Sequence, residues 1–263
     1  MSKSEASRAV RSIAMVGKGG VGKTALTVLL TKALVGRGKK ILVVDADPVV
    51  GLPQALGVKV TKTIGDVSEE IIKAARSGGK KAEIEVVSML DYMVFETLLE
   101  LDGFALLPMG KREGEGCFCP VNDILRDALD SLSKSFDVIL IDGEAGVEQV
   151  NRRVTQRVDT LLIVSDPTVR GVQTAALVND VAHKRDAAGV TRTGLVITRI
   201  RNGQESLLRE SAEKMGLEVL AIVPEDENIR RYDLAGMPIY ELDSSSPSVV
   251  AVREMAGRLG LLT

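Results

Sequence analysis

Gly17-Lys18-Gly19-Gly20-Val21-Gly22-Lys23-Thr24 lies between a short apolar run, Ser12 to Val16, and a stretch of helical character, Ala25 to Val35. Gly17, Gly22, Lys23 and Thr24 fit G-x-x-x-x-G-K-[ST], the phosphate-loop pattern, in the strand–loop–helix setting it requires. Gly19 and Gly20 carry no Cβ, so the backbone can approach a polyphosphate closely. The loop amides, Val21 among them, and the first turn from Ala25 then converge on phosphate oxygens at a helix N-terminus. Lys23 is placed to bridge terminal phosphates, and Thr24 to offer its hydroxyl to Mg²⁺.

Further apolar runs repeat along the chain: Lys39 to Asp45, Phe104 to Pro108, Phe136 to Asp142, Thr160 to Asp166, Thr193 to Thr198 and Leu217 to Pro224. Runs of this length suit strands buried on both faces of a parallel sheet. Polar-faced helical stretches separate them, including Val121 to Lys134, Val169 to Lys184, Gln204 to Lys214 and Ser248 to Leu259. Alternating strands and helices imply an α/β fold: one doubly wound, mostly parallel sheet of about seven strands with helices on both faces. No linker or repeat interrupts it, so residues 1–263 read as one domain, with 1–11 flexible. Thr61 to Leu101 is the least regular part; a helix is expected over its DVSEEIIKAARS stretch.

Charge and composition narrow the function classes. Lys and Arg number 34 against 36 Asp and Glu, so no basic field calls for nucleic acid. Aromatics are 3% and Trp is absent, which disfavours base-stacking platforms. No apolar run reaches a membrane-spanning length of roughly 18–20 residues. The polar start MSKSEASRAVRS lacks a secretory core. A soluble cytoplasmic protein, with neither membrane nor nucleic acid as partner, is expected.

Ligands of open α/β sheets bind beyond the carboxyl ends of the strands. Two runs end there in acidic residues, Asp45-Ala46-Asp47-Pro48 and Asp142-Gly143-Glu144-Ala145-Gly146. One such aspartate is commonly a turn former; two beside a phosphate loop point to a site.

Lys18, one residue after the first loop glycine, resembles the second lysine of the deviant phosphate-loop (Walker A) ATPases. These include the nitrogenase iron protein, the positioning ATPases of cell division and plasmid partition, and metal-insertion ATPases. The resemblance implies a homodimer in which Lys18 reaches the partner's nucleotide. It also implies roles for the acidic ends. Asp47 would orient or activate water and Asp45 would hold Mg²⁺ through its water shell. Asp142 would lie near the metal, and Gly146 would donate its amide to the γ-phosphate. Relatives end the strand at Thr193–Arg199 with Asn-Lys, which reads adenine. Thr198 and Arg199 stand there in this chain, and Pro224-Glu225-Asp226 resembles the second base-contacting loop.

Cys117-Phe118-Cys119-Pro120 follows the charged stretch MGKREGEG. In an extended segment residues i and i+2 point to one side, so the two sulfurs can chelate one soft or borderline cation. Lys111 and Arg112 favour the thiolates. Two thiolates are too few for a closed tetrahedral site. The lone histidine, His183, falls in an expected helix far along the chain. A second copy of the chain is the economical source of the remaining ligands, giving a Cys₄ site on a two-fold axis.

With the cysteines, the resemblance narrows to the maturation ATPases that load nickel into carbon monoxide dehydrogenase or acetyl-CoA synthase. It covers nearly the whole chain and includes the switch Asp142-x-x-Ala145-Gly146-x-Glu148. It implies ATP hydrolysis coupled to transfer of Ni²⁺, with Zn²⁺ able to occupy Cys117 and Cys119, and a client nickel enzyme as partner. The alternative is an electron-transfer reductase of the nitrogenase iron protein type, or an Fe–S carrier, with a [4Fe–4S] cluster at the dimer axis. A positioning ATPase would need an anchoring surface, for which the C-terminal VVAVREMAGRLGLLT is the candidate; it reads more naturally as a packed last helix.

Overall fold

Strand Val138–Asp142 and strand Ile41–Asp45 are buried at every residue, as runs without a polar face must be. Such strands are stable only inside a sheet covered on both sides. The computed structural model describes residues 10–47, 51–73, 92–110, 130–143, 158–184, 190–201 and 203–262.

The chain begins with β1 (Arg11–Gly17), α1 (Lys23–Leu34), β2 (Ile41–Asp45) and α2 (Leu52–Leu56). Helical residues 64–73 (α3) and 92–97 (α4) precede β3 (Leu99–Leu101) and β4 (Phe104–Pro108). Helical residues 130–133 (α5) lead into β5 (Val138–Asp142), β6 (Thr160–Ser165) and α6 (Val169–Lys184). Then come β7 (Arg192–Ile200), α7 (Glu205–Lys214), β8 (Val219–Pro224) and α8 (Glu227–Ala235). A 3₁₀ turn (Ile239–Glu241) and α9 (Pro247–Arg258) complete it.

Among the described residues one sheet of eight strands runs β3-β4-β2-β5-β1-β6-β7-β8. Every neighbouring pair is parallel except β3–β4. The seven expected strands are all present, and β3 is the addition. It pairs antiparallel through the tight turn at Asp102-Gly103, where Gly103 adopts φ 88. Along β1 the side chains alternate between two cores: Ile13 and Met15 enter one, Ala14 and Val16 the other. The first core also takes Leu26, Leu29 and Leu30 of α1 and Val252 and Met255 of α9. The second takes Val67 and Ile71 of α3, Val172 and Ala175 of α6, and Leu208 of α7. Helices thus cover both faces.

Two threonines on the buried face of α1 satisfy themselves within the helix. Thr27 Oγ1 donates to the Lys23 carbonyl at 3.0 Å, and Thr31 Oγ1 to the Thr27 carbonyl at 2.8 Å. Arg11, assigned above to a flexible segment, is the first residue of β1. Its guanidinium donates to the carbonyls of Leu259 and Gly260 at 3.2 and 2.9 Å. The expected helix over Val121 to Lys134 is described only at 130–133. No helix among the described residues is long and apolar enough to cross a membrane.

Candidate functional site

The phosphate-loop stretch leaves the C-terminal end of the central strand β1 and enters α1 directly. Gly17 is pressed against β6: a Cβ there would lie 2.2 Å from the Val164 carbonyl oxygen, and φ is +149°. Gly22, at φ 94°, precedes α1 and offers no side-chain cap to the helix N-terminus. The first N–H groups of α1 are therefore left for a ligand. Lys23 Nζ folds back over the loop and donates to the carbonyls of Gly17 and Lys18, at 3.2 and 3.3 Å. Lys18 itself is exposed.

Beyond these strand ends opens a cavity of about 520 Å³ lined by Gly19, Gly20, Lys23, Thr24, Asp47 and Gln54, among others. The sheet order explains why the acidic ends meet the loop. β5 lies between β1 and β2, so Asp142 and Asp45 finish neighbouring strands in register. Asp45 accepts from the amides of Asp47 (3.2 Å) and Leu52 (3.3 Å). Asp142 accepts from the Thr24 hydroxyl, and Thr27 Oγ1, which donates to the Lys23 carbonyl, lies 3.4 Å from its carboxylate. Burial and the neighbouring Asp142 push the Asp45 carboxyl up to about 7. Burial raises Asp142 to about 6 even though the Thr24 hydroxyl and Lys23 oppose it. Two buried carboxyls that resist ionising together fit a divalent cation, whose charge would remove the repulsion. No group of three or more His, Cys, Asp or Glu side chains suited to a metal exists among the described residues. A cation here would complete its shell with phosphate and water, as Mg²⁺ characteristically does.

A second cavity of about 320 Å³ adjoins the first and shares Gly22, Ala25, Arg199 and Asp233 with it. Its size falls within the roughly 300–1,000 Å³ of small-molecule sites. Leu26, Leu29, Val223 and Ile229 supply apolar walls, and Thr198, Pro224 and Glu225 also line it. One wall is α8, which has no fully buried residue but packs Ile229 and Tyr232, both partly buried, against the core. At the start, the Asp226 carboxylate accepts from the Asn228 amide (3.0 Å), the Ser246 hydroxyl (2.6 Å), and the Ser248 amide and hydroxyl (3.1 and 2.6 Å). At the end, Gly236 turns left-handed at φ 64. Burial works against the Asp226 charge, but these hydrogen bonds outweigh it and hold the carboxyl below its ordinary range.

The fold therefore gathers Gly19, Gly20, Gly22, Lys23, Thr24, Ala25, Asp47, Thr198, Arg199, Pro224 and Glu225 along two joined cavities, with Asp45 and Asp142 beneath. Thr198 lines the smaller cavity, and its hydroxyl donates to the Val21 carbonyl at 2.7 Å, with the Ser165 carbonyl at 3.2 Å. Gly146, Cys117 and Cys119 lie outside the described residues. His183 is exposed on α6, with Nδ1 2.8 Å from the Asn179 carbonyl. Sequence reasoning missed Gln54, Ile229, Arg230 and Asp233. For the last three the signal was an acidic cap, Asp226, opening a helix directly after the Pro224-terminated strand; Gln54 lies on the short α2.

Comparison with known proteins agrees with this geometry. An uncharacterized ATP-binding protein of Methanocaldococcus jannaschii is 38% identical over 247 residues, covering 94% of this chain and 97% of the relative. The carbon monoxide dehydrogenase accessory protein CooC of Rhodospirillum rubrum is 30% identical over 263 aligned residues, covering 93% and 97%. The crystal structure of the cell division ATPase MinD of Pyrococcus furiosus superposes with a TM-score of 0.68 at 28% identity, covering 96% of this chain and 99% of that one. The family described as the CobQ/CobB/MinD/ParA nucleotide binding domain matches residues 13–239, and this chain belongs to that family of phosphate-loop NTPases.

Proposed function

We propose that this protein is an ATP-hydrolysing metallochaperone that delivers nickel to carbon monoxide dehydrogenase or acetyl-CoA synthase, with the metal held by Cys117 and Cys119 of two subunits. The observation that carries this reading is the Cys-x-Cys pair in a chain 30% identical, over 93% of its length, to a carbon monoxide dehydrogenase accessory protein. The ATP-binding description of the 38% identical relative supports the choice of nucleotide.

In this reading the triphosphate lies along the larger cavity and the base in the smaller one. Lys23, now bonded to loop carbonyls, exchanges those weak partners for phosphate oxygens. Mg²⁺, held by Thr24 with Asp142 and Asp45 behind it, would supply charge to the phosphates being separated. Asp47, which lines the same cavity, would orient the attacking water. Lys18, exposed beside the loop, reaches the nucleotide of a second copy of the chain. Closure of that dimer around ATP sets the cysteine geometry, and hydrolysis relaxes it and releases nickel. Nucleotide moves metal only if metal affinity differs between the two states.

Metal analysis of anaerobically prepared protein, with and without ATP and alongside its oligomeric mass, tests the reading. Nickel bound at one ion per dimer, lost in Cys117→Ser/Cys119→Ser and altered by ATP, is the expected result. Stoichiometric nickel retained by the double variant would sink it. Brown protein carrying iron and sulfide at cluster stoichiometry would replace it with the electron-transfer or Fe–S carrier alternative.

The likeness to a cell division ATPase favours a positioning role as second reading. The segment weighed as its anchor, however, is α9, whose Val249, Val252, Met255 and Ala256 are buried in the core. Co-sedimentation with anionic vesicles in the presence of ATP would restore that role; none is expected.

A further inference from the structure

Resting on the nucleotide site described above, we propose that Thr198 is a positioning residue for the phosphate loop and takes no part in reading the base. It stands at a built irregularity. Ile197 pairs with Ile222 and Ile200 with Pro224, so β7 carries one residue more than β8 over this interval. Such a bulge re-aims side chains at the end of a strand. The next residue, Arg199, has φ 57, the single positive φ of a non-glycine among the described residues. Thr198 is 6% exposed, and its hydroxyl reaches across to the Val21 carbonyl at 2.7 Å, with the Ser165 carbonyl at 3.2 Å.

Those contacts complete a two-point attachment of the loop to β6. At one end Gly17 is pressed on the carbonyl of Val164; at the other Val21 is tied, through Thr198, beside the carbonyl of Ser165. Val164 and Ser165 are consecutive on β6, so both ends of the loop are referred to one rigid strand end. Val21 directly precedes Gly22, whose left-handed turn delivers the chain into α1. A change in the Val21 peptide therefore rotates the amides that meet phosphate. The same bulge places Arg199 on the wall shared by both cavities. A hydroxyl committed in this way has no proton for a purine.

Titration calorimetry on the whole chain, well below its melting temperature, separates the two roles. The probes are Mg-tripolyphosphate, Mg-ATP and Mg-GTP, on wild type, Thr198→Val and Thr198→Ser. Bracing predicts that Thr198→Val weakens tripolyphosphate and ATP by the same factor, about tenfold for one lost buried hydrogen bond. Thr198→Ser restores both, and the ATP:GTP ratio does not move. Loss of ATP affinity with tripolyphosphate unchanged, or a shifted ATP:GTP ratio, overturns the proposal in favour of base contact. A lowered melting temperature with unchanged polyphosphate affinity also overturns it, by showing a purely structural role. If the valine variant does not fold, Thr198→Cys, of similar size but with a weak donor, carries the same comparison. Wild-type protein that bound no polyphosphate would overturn the nucleotide-site reading itself, and this inference with it.

Discussion

Asp45 and Asp142 face each other in register at the carboxyl ends of adjacent strands, 0% and 2% exposed. Each is harder to ionise folded than unfolded, since their carboxyls titrate near 7 and 6 against an ordinary 3.8. A raised carboxyl pKa favours folding below the unfolded value, and that contribution is lost as pH rises through the folded one. Metal-free protein should therefore lose stability between about pH 4 and pH 7. At pH 8 in EDTA, Asp45→Asn or Asp142→Asn should be more stable than wild type, by on the order of 1–3 kcal/mol, and melt higher, while losing Mg-nucleotide binding. Equal melting curves for wild type and variants across this range would show that the pair carries no such strain.

Gly17 has no room for a methyl group. Its Cβ would sit 2.2 Å from the Val164 carbonyl, at a φ that L-residues avoid. Gly17→Ala should cost about 3 kcal/mol or more by urea unfolding and abolish nucleotide binding. Gly19→Ala, where nothing lies within 4 Å, should leave the stability within about 0.5 kcal/mol of wild type. Similar losses in the two variants would contradict the close packing of β1 on β6.

The two loop lysines should separate by function. Lys23→Ala removes the group lying over the loop carbonyls and should reduce nucleotide affinity and turnover together, by roughly a hundredfold or more in turnover. Lys18→Gln, at an exposed position, should keep nucleotide binding and lose hydrolysis. If Lys18 acts on the partner's nucleotide, mixing the two inactive variants should return measurable phosphate release, because Lys23→Ala subunits still supply Lys18. A mixture as inactive as its parts would argue against action in trans.

Asp226 joins the starts of α8 and α9, accepting four hydrogen bonds. Its depressed pKa means that its contribution exists above the ordinary carboxylate range and disappears as pH falls through the folded value. Asp226→Ala should destabilise the protein by about 1–3 kcal/mol at pH 7, through the lost cap and the Ser246 and Ser248 hydroxyl protons left without their acceptor. Nucleotide affinity should fall with it, as the Asp226 cap sets the start of α8, whose Ile229, Arg230 and Asp233 line the smaller cavity. The difference from wild type should narrow at pH 3; a pH-independent gap would assign the effect to packing.

Much of the architecture was legible because the parallel strands are continuous apolar runs, most of them ended by a charge or proline. Val169–Lys184 was bounded correctly as a helix for the related reason that its apolar and polar residues recur at helical spacing. The β3 edge was overlooked, since two half-buried leucines flanking an exposed Glu100 carry little hydrophobic signal, although Asp102-Gly103 is a recognised hairpin turn. The short α2 was missed for want of length; its Gly51-Leu52-Pro53 start and Gly57 end were the available marks. Within the site, the loop, the two acidic strand ends and the Pro224-Glu225 corner were found as local motifs.

The order of residues alone determined that a phosphate loop opens the first helix, that aspartates close two strands, and that two thiols lie one residue apart. Those are short-range facts, set by spacing and by what glycine, lysine and carboxylate can do. Tertiary structure decided that Asp45 and Asp142 are neighbours, because strand order places β5 between β1 and β2. It also decided that the Thr198 hydroxyl, 177 positions from Val21 along the chain, is consumed by the loop. A hydroxyl's partner is chosen by which carbonyl the folded sheet brings within 3 Å, and no local pattern encodes that distance.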